Sequence, residues 1–338
     1  MSLAEKLLMS LKLELAYFSG RIWLKRRGAG AIVRFERVRP RQTAKFQPLQ
    51  SSEITPEFLD RTIRALKRWN CDFVSIDEVC HRAVTSPSRR RFVCLTFDGI
   101  YQDFVTFAYP VLSQHRVPFA VYVPTAFPDG IGEAWWLALE RVIAREPRLS
   151  LLMGRDEKHF HISRVTEKYQ LYEYLAHWMR SLTLRDRSAA IKDLCIRYAV
   201  DLAALSRETS MDWAGLTKLA ADPLVTIGCA TVNFPVLSNM KDKEALREMT
   251  MGKAVLEMAL RRDIQHFAYP YGDRASWQPK HAVMADEAGF ASAVSSSVSG
   301  VIEPEGRTPL HALPRIGWDG RWRSLRAMRV LLSGSEFP

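Results

Sequence analysis

The sequence predicts an α/β fold built on parallel strands and interrupted by a helical insertion. Three observations carry this. The runs Phe92–Phe97 and Pro118–Pro124 are short and apolar without polar alternation, as in strands buried within a sheet. Segments of helical period stand between such runs, so strand, helix and strand repeat in the manner of a parallel sheet. From about Glu133 to Leu219 the rhythm stops: Gly and Pro are scarce and apolar residues keep helical spacing.

Taken in order, residues 2–26 read as one helix or two, with Leu3, Leu7, Leu8, Leu11, Leu15 and Phe18 on one face. It is read as packed on the main domain, with docking on a membrane or partner as the sharper reading. A strand follows at Ala31–Phe35. Thr55 and Pro56 mark an N-cap and first helical position for a helix to about Trp69. Phe73–Ile76 is a strand, Asp77–Ala83 a short helix, and Ser86–Arg91 a basic solvated turn. After Phe92–Phe97 come a helix over 104–115 and the strand 118–124.

Within the insertion, helices are predicted near Trp135–Val142, over Leu171–Leu182 and over Ser188–Leu205. Its aromatics Trp135, Trp136, Tyr169, Tyr172, Tyr174 and Trp178 suit a core, or stacking on sugar rings. Strands then return at Leu224–Gly228, His266–Tyr269 and Phe290–Val294, with helices over 241–262 and 276–289 between them; Leu313–Ile316 closes the domain, followed by a short helix from about Ser324. The organisation is an N-terminal helix (1–28), an α/β body in two pieces (29–132 and 220–322), the insertion (133–219) and a C-terminal tail (323–338).

Composition excludes little. The 338 residues are 47% hydrophobic and 25% charged, an ordinary folding composition. The net charge of +11 permits contact with phosphate, anionic lipid or acidic glycan without selecting one. The basic turn lacks interleaved aromatics, so no nucleic-acid partner is expected. Five widely spaced cysteines with no C-x-x-C argue against a disulfide framework and for a cytoplasmic location. The charges Glu5, Lys6, Lys12 and Glu14 break any signal-like apolar run near the start, and no transmembrane segment is expected.

Four ordered motifs carry the chemistry: Thr96-Phe-Asp98-Gly99-Ile100-Tyr101, Ala230-Thr-Val-Asn-Phe234, Phe267-Ala-Tyr-Pro-Tyr271-Gly272 and Leu313-Pro-Arg315-Ile316. Their order and flanks resemble the polysaccharide deacetylases, the family with the NodB homology domain (carbohydrate esterase family 4). There the motifs read Thr-Phe-Asp-Asp-Gly-Tyr, His-Thr-x-x-His, Phe-Ala-Tyr-Pro-Tyr-Gly and Leu-Pro-Arg-Ile. The resemblance implies a distorted (β/α) barrel and a hydrolase of amide C–N bonds, removing acetyl groups from N-acetylated glycans such as chitooligosaccharides. It implies Asp98 as general base, the Tyr271 position at the oxyanion, and Arg315 and Tyr101 at the substrate.

The family uses a divalent metal, usually zinc, to polarise the carbonyl and activate water. Its three metal-ligand positions fall here on Gly99, Ala230 and Phe234, which offer no lone pair. Glu36, Asp103, Cys229, Asp273 and His281 lie near the motifs without ligand spacing, and His311 lacks the spacing of the family's acid. No cofactor is therefore expected. The chain reads as a deacetylase-family protein impaired in the metal-dependent reaction, or alternatively as a pseudoenzyme that binds an N-acetylated glycan, scaffolds or regulates. No protein partner is indicated.

Overall fold

The strands arrange themselves by which faces they bury. The structure, a computed structural model, describes residues 15, 17, 29–85, 90–99, 101–296, 300–318 and 324–333. The predicted N-terminal helix, apart from Leu15 and Tyr17, and most of the basic turn lie outside the described residues. The first half of the body holds β1 (Gly30–Phe35), β2 (Arg37–Val38), β3 (Glu53–Ile54), α1 (Pro56–Arg68), β4 (Asp72–Phe73), α2 (Ile76–Val84), β5 (Phe92–Asp98), α3 (Tyr109–His115) and β6 (Phe119–Val123). The insertion holds α4 (Trp135–Arg145), β7 (Arg148–Met153), β8 (Asp156–His161), α5 (Val165–Ser181), α6 (Leu184–Arg197), α7 (Leu202–Thr209) and α8 (Trp213–Ala220). The second half adds β9 (Val225–Cys229), α9 (Asp242–Leu260), β10 (His266–Ala268), α10 (Pro279–Glu287), β11 (Ser292–Val294), β12 (Arg315–Gly317) and α11 (Leu325–Leu332).

One sheet runs β11-β10-β9-β6-β5-β1-β12, every pairing parallel, with β4 against the start of β5. A bridge from Val294 to Leu313 brings β11 against the segment entering β12, so the sheet nearly closes into a barrel. Alternate residues divide between two clusters. Val33, Leu95, Val121 and Ile227 face the surrounding helices. Ile32, Cys94, Tyr122, Ala230 and Val294 fill the interior, joined there by Ile76, Val79 and Ala83 of α2. Burial on both faces is why these strands read as continuous apolar runs.

Local signals account for most boundaries. Thr55 Oγ1 accepts the amide of Phe58 at 3.2 Å and Pro56 opens α1. Ser75 caps α2 in the same way. The helix expected over Ser188–Leu205 is two: Ala199 takes φ +49°, and Asp201 accepts the Ala204 amide at 2.8 Å to start α7. The helix expected from Ser276 starts later, at Pro279, because Asp273 Oδ1 accepts the Ala275 and Ser276 amides in a tight turn. The hairpin β7–β8 stands where the spacing predicts only helix; its turn is made by Gly154 at φ +70°. Residues of α11 are buried in the main core. Among the described residues, no helix is long and apolar enough to cross a membrane.

Candidate functional site

Strand direction gathers the motif residues. In a parallel barrel the C-terminal strand ends share one face, and interior positions there point at one another. Arg34 on β1, Thr96 and Asp98 on β5, and Arg315 on β12 meet in this way. Above them lies a cavity of about 320 Å³, at the small end of the ~300–1,000 Å³ typical of ligand sites. Asp98, Gly99, Tyr101, Phe234 and Tyr271 all line it, so separated stretches of sequence converge as expected.

Arg315 does not line the cavity. It is 0% exposed and stands behind Asp98, to which Nη1 and Nη2 donate at 2.5 and 2.9 Å. Its Nε donates to the Ser295 carbonyl at 3.0 Å. The guanidinium expected at a substrate is thus spent on holding the carboxylate, because its strand position points it into the barrel. Asp98 is 8% exposed and meets a second cation: Arg34 Nη1 lies 3.4 Å from Oδ2. The same nitrogen donates to the Tyr271 carbonyl at 3.3 Å, and Nη2 pairs with Glu36 at 2.7 Å.

Whether these residues suit a divalent metal is a question of donors. At the positions that the resemblance assigns to metal ligands, Gly99 has no side chain, Ala230 is buried in the barrel interior, and Phe234 turns its ring to Tyr271 (centroids 5.0 Å). Cys229 packs on the opposite face of the strand from Ala230. Among the described residues no group of three His, Cys, Asp or Glu side chains is disposed to hold a metal. The Arg34 guanidinium, bridging Asp98 and the Tyr271 carbonyl, brings a fixed positive charge to this corner. The residues present do not fit a metal centre.

The other candidates are placed elsewhere. Asp103 takes Arg37 at 2.6 Å and Asp273 takes Arg180 at 2.5 Å. His281 is buried at the start of α10, where Nδ1 accepts the Gln278 amide and burial lowers its pKa. His311 bonds the Phe290 carbonyl at 2.7 Å and does not line the cavity. His266 lies within the barrel, with Nδ1 on Ser292 Oγ at 2.9 Å and Nε2 on Asp77 at 3.0 Å. Burial pulls its pKa down, but hydrogen bonds to Asp77 and Cys80 and the Asp77 charge outweigh this and raise it to about 9.

The insertion supplies the roof, which the sequence reading reaches only in part. Trp135, Trp136, Tyr172 and Arg180 line the cavity. Trp136 Nε1 donates to the Tyr101 hydroxyl at 2.9 Å, and Trp135 Nε1 to the Tyr271 hydroxyl at 3.3 Å. The Arg180 guanidinium sits 4.5 Å over the Tyr271 ring. Burial raises the Tyr101 phenol to about 12, so it stays protonated. Buried Arg187 reaches the Tyr271 hydroxyl from α6; sequence gives no notice of it, since nothing in its neighbourhood separates it from the other arginines of the insertion. Phe234 at φ +52° and Tyr271 at φ +61° hold a left-handed backbone that non-glycine residues rarely adopt, here at the site itself.

Comparison with known proteins bears on this geometry. No curated protein matches the chain in sequence. The fold is similar to that of Streptococcus pyogenes deacetylase PplD, solved in complex with acetate (TM-score 0.57, 15% identity, 89% of this chain and 99% of that one). It is similar also to IcaB from Ammonifex degensii (TM-score 0.56, 15% identity, 90% and 97%). A de-N-acetylase from Aggregatibacter actinomycetemcomitans aligns likewise (TM-score 0.55, 10% identity, 89% and 98%). The polysaccharide deacetylase family model matches residues 192–291, which contain the second and third motifs. That match covers less than a third of the chain, and the solved structures, at 15% identity or below, share its barrel fold.

Proposed function

We propose that this chain is a pseudoenzyme that binds an N-acetylated sugar, as a free unit or the end of a glycan, at the strand-end cavity. The observation that carries the reading is the Arg34 guanidinium bridging Asp98 and the Tyr271 carbonyl, beside three family ligand positions without donors. A general base needs a free lone pair facing its water. Asp98 already takes three hydrogen bonds from two arginines, which leaves about one of its four acceptor positions for a water.

The cavity retains what sugar binding needs. Tyr101, Trp135, Trp136, Phe234 and Tyr271 line it with aromatic surface of the kind that meets the C–H groups of a pyranose. Arg34, Arg37, Glu36 and Glu53 offer directed partners for hydroxyls around the same space. A volume of about 320 Å³ beneath a roof of α4 and α5 takes one sugar unit more readily than the middle of a polymer.

The test pairs binding with chemistry. Purified protein is titrated calorimetrically with N-acetylglucosamine and chitobiose, its metal content is measured, and acetate release is assayed on acetylated chitooligosaccharides. The expected result is binding without turnover and without stoichiometric metal. One bound metal per chain together with acetate release would establish the hydrolase instead.

A further inference from the structure

Arg187 is 3% exposed, yet among the described residues no carboxylate pairs with it. Its Nη2 reaches only the carbonyls of Asn233 and Phe234, at 3.5 and 3.4 Å, and its Nε has no partner. A buried guanidinium with so little compensation is costly unless an electron-rich oxygen faces it. The oxygen it does face is the Tyr271 hydroxyl, at 3.3 Å from Nη1.

That hydroxyl also accepts from Trp135 Nε1 at 3.3 Å. Guanidinium and indole N–H groups donate and never accept. Both lone pairs of the phenol are therefore occupied while its own hydrogen has no acceptor among the described residues. Tyr271 and Trp135 both line the cavity. The ring cannot turn freely, held between the Phe234 ring (5.0 Å) and the Arg180 guanidinium (4.5 Å) on a backbone at φ +61°.

We infer that the insertion arms the Tyr271 hydroxyl as a one-directional hydrogen-bond donor into the cavity, with Arg187 as its positioning residue, and that it takes the acyl carbonyl oxygen of an N-acetyl group. The inference rests on the reading of the cavity as a sugar site and names the atom that site selects. A phenol already accepting from a cation is a stronger donor, so the preference falls on the most electron-rich neutral acceptor of an N-acetylated sugar, its amide oxygen.

The experiment compares N-acetylglucosamine, 2-deoxyglucose and acetate as ligands of the full chain by calorimetry. Tyr271→Phe is expected to weaken N-acetylglucosamine about five- to tenfold, one neutral hydrogen bond's worth, and to leave 2-deoxyglucose unchanged. Arg187→Met is expected to erode the same preference and Arg187→Lys to keep most of it, which a purely structural role would not produce. If Arg187→Met does not fold, Tyr271→Phe decides alone. Should Tyr271→Phe keep the full preference for the acetylated sugar, this inference falls and the glycan reading stands. Should the wild-type chain bind none of the three ligands, both fall.

Discussion

Removing the Asp98 carboxylate separates a catalytic role from an architectural one. In Asp98→Ala, the fully buried Arg315 loses both of its short bonds, 2.5 and 2.9 Å, and keeps the Ser295 carbonyl and a 3.4 Å approach to Thr96. Breaking a buried pair by deleting one partner costs about 3–5 kcal/mol, mostly the penalty of the stranded charge. Arg34 is not stranded, since Glu36 remains 2.7 Å from it. With one cation uncompensated rather than two, the loss belongs at the low end, about 3 kcal/mol. The assay is urea unfolding of wild type, Asp98→Ala, Arg315→Met and the double variant. The double variant should recover at least about 1–2 kcal/mol relative to additivity, because a thioether in place of the guanidinium needs no counter-charge. A loss below about 1 kcal/mol in Asp98→Ala, or strict additivity, would refute the burial and pairing on which this reasoning stands.

Three further outcomes follow from the same geometry. His266 has its folded pKa raised to about 9 from 6.5, so the folded chain holds the extra proton between those values: the contribution is complete below about 6.5 and is lost as pH rises through about 9. It amounts to roughly 3 kcal/mol at most, less for the exposure of Asp77, and the urea midpoint of Asp77→Asn should lack this alkaline fall. Combining Gly99→Asp, Ala230→His and Phe234→His should not yield one zinc per chain by elemental analysis while Arg34 remains. Its charge opposes the ion, and position 99, at φ +82°, costs a side-chain-bearing residue about 1–2 kcal/mol; adding Arg34→Met should raise the occupancy. Finally, Glu248 accepts the amides of Val232 and Asn233 and the Asn233 side chain at 2.7–3.0 Å, so Glu248→Ala should cost about 3 kcal/mol in thermal or urea unfolding and loosen the loop that carries Phe234.

The legible parts of the fold are those with a local cause. Burial on both faces makes Phe92–Asp98 and Phe119–Val123 readable as parallel strands, and Thr55 and Ser75 announce their helices through side chains that cap them. The convergence of Asp98, Gly99, Tyr101, Phe234 and Tyr271 follows from motif order and strand parity. Arg34 does carry a signal: it is the one charged residue of an otherwise apolar strand, and such a charge needs a buried partner. Arg315 is expected at the substrate and found behind the carboxylate because sequence shows that an arginine follows Leu-Pro but not which way its strand position turns it. Arg187 has no signal, since its burial is decided by how the insertion docks. The β7–β8 hairpin offers only Gly154, too little against a span of helical spacing.

The roof is fastened to the barrel through the hydroxyls of Tyr101 and Tyr271, each bound by a tryptophan of α4. These tyrosines belong to the short sequence signatures by which a family is recognised, and here they also seat an insertion of more than eighty residues. Selection acting on domain assembly alone would keep them in place. The spelling of a signature can therefore record how parts of a chain are assembled as well as what they catalyse, and in this chain Arg34, Gly99 and Ala230 are the residues that bear on a metal.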